Sequence, residues 1–85
     1  MSEVEVGPIR DAVLHAVEGG LSWSEICLSL GWESKGYPDT SRLKRRLGIT
    51  TQPGPNGPER QVHIRTDTAA EIVRAVGIAP MDVGL

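Results

Sequence analysis

Residues 21–49, LSWSEICLSLGWESKGYPDTSRLKRRLGI, constrain the fold most strongly because two sets of helix-boundary signals lie close together there. Ser22 and Glu25 have the spacing of a capping box, which predicts the start of a helix, and Gly31 predicts its end. A second helix is predicted over residues 40–47. The stretch is therefore expected to fold as two short helices joined by a compact loop.

The second helix has a narrow apolar side, and the rest of its surface is mostly basic. It begins at a cap supplied by Asp39 or Thr40. At ~100° per residue, Leu43 and Leu47 share the buried side. The remaining positions carry a hydroxyl and four basic groups: Ser41, Arg42, Lys44, Arg45 and Arg46.

Helical geometry orients these polar side chains differently. Ser41 and Arg45 are expected to point directly away from the core. Arg42 and Lys44 flank them, and Arg46 lies nearer the core boundary. Like charges this close repel by roughly 0.2–0.5 kcal/mol per pair, whereas arginine can form paired hydrogen bonds with O6 and N7 of guanine. The helix therefore predicts contact with DNA, and a solvated charged helix is the alternative.

Charge is segregated along the chain, although the net charge is only −2. Residues 1–34 carry a net charge of −5, residues 35–65 a net charge of +5 and residues 66–85 a net charge of −2. The net acidity argues against indiscriminate nucleic-acid binding. One basic segment with acidic flanks nevertheless favours oriented binding to a polyanion.

Two further helices are predicted, one on each side of this central region. Residues 1–7 are expected to form a flexible N-terminal arm, and the apolar spacing that follows Pro8 predicts a scaffold helix. Thr68 and Glu71 have capping-box spacing, which predicts the start of a C-terminal helix. The expected fold is therefore a mainly α single domain over residues 8–85.

A β-hairpin is predicted directly after the basic helix, with strands over residues 49–51 and 60–66. Val62 and Ile64 alternate with polar residues, as in a half-buried strand, and the Pro/Gly-rich residues before them form the loop. This position makes residues 49–66 a candidate wing, with a plain hairpin or an edge strand that pairs with a second subunit as alternatives. Its basic residues are Arg60 and Arg65.

The segment between the two central helices, WESKGYP over residues 32–38, is longer than a three- or four-residue turn. Trp32 is expected to anchor this loop to the core, with contact between its indole N–H and a nucleic-acid backbone as the alternative. Tyr37 lies either against the core or against a nucleic-acid backbone, and Lys35 adds a basic group to the candidate DNA-binding surface. Because Tyr37 precedes Pro38, an extended conformation is predicted there.

Other classes of function find no support in the sequence. Cys27 is the only cysteine, which excludes an internal disulfide and favours a cytoplasmic setting, where it acts as a small buried hydrophobe. No run approaches the ~18 apolar residues of a membrane span. His15 and His63 do not make a metal set, and no nucleophile–base pair occurs. We therefore expect no enzyme activity, no metal and no cofactor.

The segments SWSEICLSLGW, DTSRLKRRLGI and RTDTAAEIVRAVGIAPMDVGL together resemble small helix-turn-helix DNA-binding proteins carried by actinobacteria and their phages. The resemblance covers roughly residues 21–85. It implies a winged helix-turn-helix and a transcriptional or phage-lifestyle regulator of the repressor or excision-control type. It also implies that residues 40–47 are the recognition helix that enters the major groove of double-stranded DNA.

On this interpretation the basic helix divides its contacts between bases and backbone. Arg42 and Arg45 read base edges, with Ser41 assisting. Lys44 and Arg46 hold phosphates. The remaining candidate DNA contacts are Lys35, Tyr37, Arg60 and Arg65.

Two further expectations concern partners. A homodimer through the C-terminal helix or the strand at residues 60–65 would place two recognition helices on half-sites about 34 Å apart. The alternative function is a protein-interaction module of a host-takeover or antirepressor type, which uses the basic helix against an acidic partner. The acidic first third of the chain mildly favours that alternative.

Overall fold

Four α-helices and three antiparallel pairs of short strands lie within residues 2–85, the part of the chain that the computed structural model describes. The helices are α1, Val6–Glu18; α2, Trp23–Leu30; α3, Thr40–Arg46; and α4, Thr66–Ala75. The strands are β1, Glu3–Glu5; β2, Glu33–Ser34; β3, Tyr37–Pro38; β4, Gln52–Gly54; β5, Gly57–Glu59; and β6, His63–Arg65. A 3₁₀ turn, Pro80–Val83, follows α4. This confirms the predicted combination of helices with small β elements.

All four helices and β6 contribute apolar side chains to one core. The helical spacing of the sequence predicted the burial of Ile9 and Val13, and both are buried. Cys27 is also buried, as expected of a small hydrophobe. The buried members are Val6, Ile9, Val13, Ile26, Cys27, Trp32, Leu43, Leu47, Ile64, Ala69, Ile72 and Val73.

Each helix ends at a glycine with a positive φ that is followed by an apolar residue. The backbone N–H of the apolar residue bonds back to the carbonyl five residues earlier, which satisfies one of the last helical carbonyls. The apolar side chain packs against the core. The predicted helix end at Gly31 is therefore confirmed, and Gly48 and Gly77 end α3 and α4 in the same way. The four apolar residues are Leu21, Trp32, Ile49 and Ile78.

The N-terminal segment is a strand that joins the domain, which corrects the prediction of a flexible arm over residues 1–7. β1 pairs antiparallel with β6, and the N–H of Val6 donates to the carbonyl of Val62 at 2.9 Å. Val6 itself is buried and is the first residue of α1. Burial of this side chain and pairing of the strand hold the segment in place. Met1 lies outside the described residues.

The β-hairpin after α3 has a different register from the predicted one. Its strands are β4 and β5, which lie within the Pro/Gly-rich stretch that was predicted to be a loop. Pro53 lies opposite Pro58 in this isolated two-stranded ribbon, where both strands have a free edge and a missing N–H is tolerated. The predicted pairing of residues 49–51 with 60–66 is therefore wrong. β6 pairs with β1 instead, and Val62 is 64% exposed.

The loop before α3 is a second hairpin, formed by β2 and β3. Its two central residues, Lys35 and Gly36, have φ values of 54° and 81°, the pattern of a type I′ turn. Trp32 is buried, as predicted. Tyr37 is extended, as predicted, and it is 75% exposed, which excludes the first of its two expected placements, the one against the core.

Helix α4 begins three residues earlier than the capping box at Thr68 predicted. The backbone passes directly from β6 into α4 at Thr66, whose N–H bonds to the carbonyl of Ser2. Thr68 consequently lies inside the helix and cannot act as its N-cap. Over residues 2–85, no helix combines the length and the hydropathy needed to cross a membrane.

Candidate nucleic-acid interface

Helix α3 is fixed to the domain by its cap and by two leucines. Asp39 accepts a hydrogen bond from the N–H of Arg42 at 3.1 Å, which identifies Asp39 as the N-cap. Leu43 and Leu47 are fully buried against the core, as the helical spacing predicted. Gly48 then ends the helix. These contacts leave the rest of α3 facing outward.

The exposed residues of α3 are Ser41, Arg42, Arg45 and Arg46. Lys44 is half-buried instead, so Lys44 is the residue nearest the core boundary, and the prediction that Arg46 lies there is wrong. The reason is a contact with α2: the Nζ atom of Lys44 lies 5.3 Å from the centroid of the Trp23 ring.

A second tryptophan contacts the other flank of α3. The guanidinium carbon of Arg42 lies 4.3 Å from the centroid of the Trp32 ring, within the ~6 Å range of a cation–π interaction. Trp32 also accepts a hydrogen bond at its carbonyl from the N–H of Asp39. One residue thus supports both the cap of α3 and one of its arginines.

Within the described chain, no basic side chain of α3 forms a salt bridge with a carboxylate. Within residues 2–85, the salt bridges join Arg10 to Asp11 and Arg65 to Asp67, and neither involves this helix. Arg65 differs from them, since its Nη2 atom lies 2.9 Å from Oδ2 of Asp67. The cationic groups of α3 are therefore not held in ion pairs within this part of the chain.

Two shallow recesses border the basic helix. The first is lined by Arg42 and Arg46 together with Arg65, and it also contains the carboxylates of Glu3 and Glu71. We call it the arginine recess. The second is lined by Gln52 and three arginines of α3. The three arginines of α3 and Arg65 therefore lie on one side of the molecule.

The two hairpins lie before and after α3 in the chain. The β2–β3 hairpin exposes Lys35 and Tyr37, and the side chains of Gln52 and Gln61 are joined by a 3.2 Å hydrogen bond across the β4–β5 segment. Arg60 is exposed after β5. None of Lys35, Tyr37 and Arg60 lines either recess.

Sequence reasoning missed the supporting residues of this surface. Trp32 was expected chiefly to anchor the loop to the core, and Trp23, Gln52 and Glu3 were assigned no part in this surface. The two tryptophans gave no local signal for this role, because their contacts with Arg42 and Lys44 depend on how the rest of the domain packs beside α3. The contribution of Glu3 depends on the β1–β6 pairing, which joins residues about sixty positions apart and has no local signal.

The one cysteine is part of the scaffold of this surface. Desolvation by burial raises the pKa of the Cys27 thiol, Asp39 raises it further, and Arg42 opposes the shift. The thiol is therefore in its neutral form near pH 7. Within the described residues, no group of three His, Cys, Asp or Glu side chains is arranged to hold a metal ion.

Comparison with family models, with curated proteins and with solved structures found no match to this chain. What can be concluded about function therefore depends on the residues of the chain itself. The strongest of these observations is the basic surface of α3, whose arginines are exposed and form no salt bridge within the described residues.

Proposed function

We propose that the protein binds double-stranded DNA sequence-specifically, with α3 in the major groove. The single observation that carries the proposal is that the four basic residues of α3 have no carboxylate partner within the described chain. Four like charges on two turns of helix repel one another, and DNA phosphates and base edges offset that repulsion. An α-helix fits the ~12 Å width of the major groove.

The positions on α3 favour a division of contacts. Arg45 and Ser41 lie on the side opposite Leu43 and Leu47, so they are the residues best placed to meet base edges. Arg46 lines the arginine recess beside the helix, which favours a phosphate contact. Phosphate contacts fix the register of the protein on the duplex, and base contacts determine its sequence preference.

The hairpins on either side of α3 support a larger interface. We assign the role of a wing to the β4–β5 hairpin because it is the next element after α3 and the exposed Arg60 follows its second strand. The β2–β3 hairpin presents Lys35 and Tyr37 for backbone contacts. With these additions the arrangement becomes that of a winged helix-turn-helix, and the sequence pattern favours a transcriptional or phage-lifestyle regulator.

A homodimer on two half-sites is part of the proposal, since one short helix gives limited affinity. Val62 is 64% exposed next to β6, and Met81 is 78% exposed after α4. These apolar side chains favour the two regions that the sequence suggested for self-association. Sedimentation with and without DNA tests this part, and a monomer at high concentration in both cases would contradict it.

A fluorescence-anisotropy titration of random duplex DNA at low salt tests the proposed function. Binding should weaken steeply as salt is added, since counterions are released from the phosphates. Arg45→Ala should lose ~1–3 kcal/mol of binding free energy at one base position, whereas Arg46→Ala should weaken binding to all DNA sequences about equally. If the folded protein binds no duplex at low salt but retains an acidic protein partner, the alternative of a protein-interaction module replaces this proposal.

A further inference from the structure

Two tryptophans support two of the four cations of α3. The guanidinium carbon of Arg42 lies 4.3 Å from the centroid of Trp32, and Nζ of Lys44 lies 5.3 Å from the centroid of Trp23. Trp23 and Trp32 are the only tryptophans in the chain. Both distances fall within the ~6 Å range in which the face of an indole ring attracts a cation.

The two supported cations lie on opposite flanks of the helix. Arg45 marks the outward direction, since it lies opposite the buried leucines. At ~100° per residue, Arg42 is rotated ~60° from Arg45 in one direction and Lys44 ~100° in the other. Arg42 lines the arginine recess, whereas Lys44 contacts α2 through Trp23.

We propose that Trp32 and Trp23 hold Arg42 and Lys44 as two phosphate clamps, one for each strand of the duplex. This inference rests on the proposed function. A helix in the major groove has the sugar–phosphate backbone of a different strand on each side. Flanking cations therefore meet phosphates, while outward residues meet bases. Arg42 is thereby assigned to the backbone, instead of the base contact that the sequence suggested.

The cation–π contacts leave Arg42 and Lys44 able to bind phosphates. A ring face attracts a cation without neutralising its charge, so Arg42 and Lys44 keep full attraction for a phosphate. Within residues 2–85, neither forms a salt bridge, unlike Arg65, which is paired with Asp67. A side chain held in one orientation before binding also loses less rotational freedom when DNA binds.

Phosphate-ethylation interference on a DNA site selected from random sequence tests the strand assignment. Arg42→Ala should abolish interference at phosphates of one strand, and Lys44→Ala should abolish it at phosphates of the other. Each variant should also lower the slope of log affinity against log salt by about one. Arg10→Ala removes an arginine on α1 that lines neither recess and lies in neither candidate dimer region, and it should leave both the pattern and the slope unchanged.

A double-mutant cycle tests the part played by the rings. Trp23→Leu should weaken binding to all sequences roughly two- to fivefold in the wild-type background and have no effect in the Lys44→Ala background. Trp32→Leu should behave in the same way with Arg42→Ala, and Trp32→Phe, which keeps a ring face for the cation, should weaken binding less. A purely structural role for the rings predicts the same loss in both backgrounds.

The outcomes separate this inference from the function on which it rests. Failure of the wild-type protein to form any specific DNA complex would overturn both. A specific complex in which Arg42→Ala and Lys44→Ala affect the same strand, or leave the interference pattern unchanged, would overturn the two clamps alone. Effects of the tryptophan variants that are independent of their cation partners would do the same.

Discussion

Gly48 lies against the backbone of Gln61, so closely that a Cβ at position 48 would overlap the Gln61 carbonyl oxygen. Gly48 ends α3 with a φ of 73°, and Gln61 leads into β6. The side chain of Gln61 also accepts a hydrogen bond from Gln52 at 3.2 Å. This contact therefore sets how the chain leaves the basic helix and where the β4–β5 hairpin begins.

Replacement of this glycine should destabilise the domain for two reasons. Gly48→Ala places a side chain at a positive φ and into the Gln61 carbonyl, which we expect to cost about 2–4 kcal/mol. Gly31→Ala is the matched control, because Gly31 has the same φ of 73° and open space around its Cβ position. It should cost about 1 kcal/mol. Equal losses of unfolding free energy for the two variants, measured by urea denaturation, would contradict the close contact between Gly48 and Gln61.

Removal of the two side-chain caps should have similar effects on the stability of the domain but different effects on its DNA affinity. Asp39→Ala removes the cap of α3 and Ser22→Ala removes that of α2, where the Ser22 hydroxyl accepts from the N–H of Glu25 at 3.1 Å. Each should cost about 1 kcal/mol of unfolding free energy. Only Asp39→Ala should also lower DNA affinity, since it loosens the helix that binds. An equal effect of the two variants on affinity, measured by anisotropy, would argue against α3 as the contact.

The β1–β6 pairing reverses the expected importance of two valines. Val6 is 3% exposed, so Val6→Ala should cost about 2 kcal/mol through lost burial and the remaining cavity. Val62 is 64% exposed, and Val62→Ala should change stability by less than about 0.5 kcal/mol. Thermal unfolding of both variants checks this. The sequence pattern alone predicts the opposite order.

The elements that sequence reasoning predicted well are those with local causes. Ser22 and Gly31 mark the ends of α2 because capping involves atoms within a few residues, and the two inward leucines of α3 follow from helical spacing. The leucines in turn determined which side of α3 is exposed. The same reasoning from helical spacing identified the basic surface of the candidate site.

The elements that were missed depend on distant partners or unusual backbone conformations. Residues 63–65 alternate like a strand, but nothing local states that their partner is β1 rather than residues 49–51. The type I′ turn at Lys35 and Gly36 was missed because lysine rarely adopts a positive φ. The cation–π contacts of α3 likewise require knowledge of how α2 packs against it.

The raised pKa of the buried Cys27 thiol predicts a pH dependence of stability. The unfolded thiol loses its proton near pH ~8.5, before the folded one does, so the unfolded state binds fewer protons above that pH. This contribution to stability is fully present below pH ~8.5 and is lost as pH rises towards the folded pKa. Urea denaturation from pH 7 to 10 should show the loss in the wild-type protein. Cys27→Ala, which carries no thiol, should lack this part of the decline.

Selection of bound sites from random double-stranded DNA tests the central claim most directly. We predict enrichment of a defined motif that is specified at several base pairs, with two related half-sites if the protein is a dimer. A parallel selection with Arg45→Ala should lose preference at one base position per half-site and keep the rest of the motif. Failure of the folded wild-type protein to enrich any sequence would contradict the account.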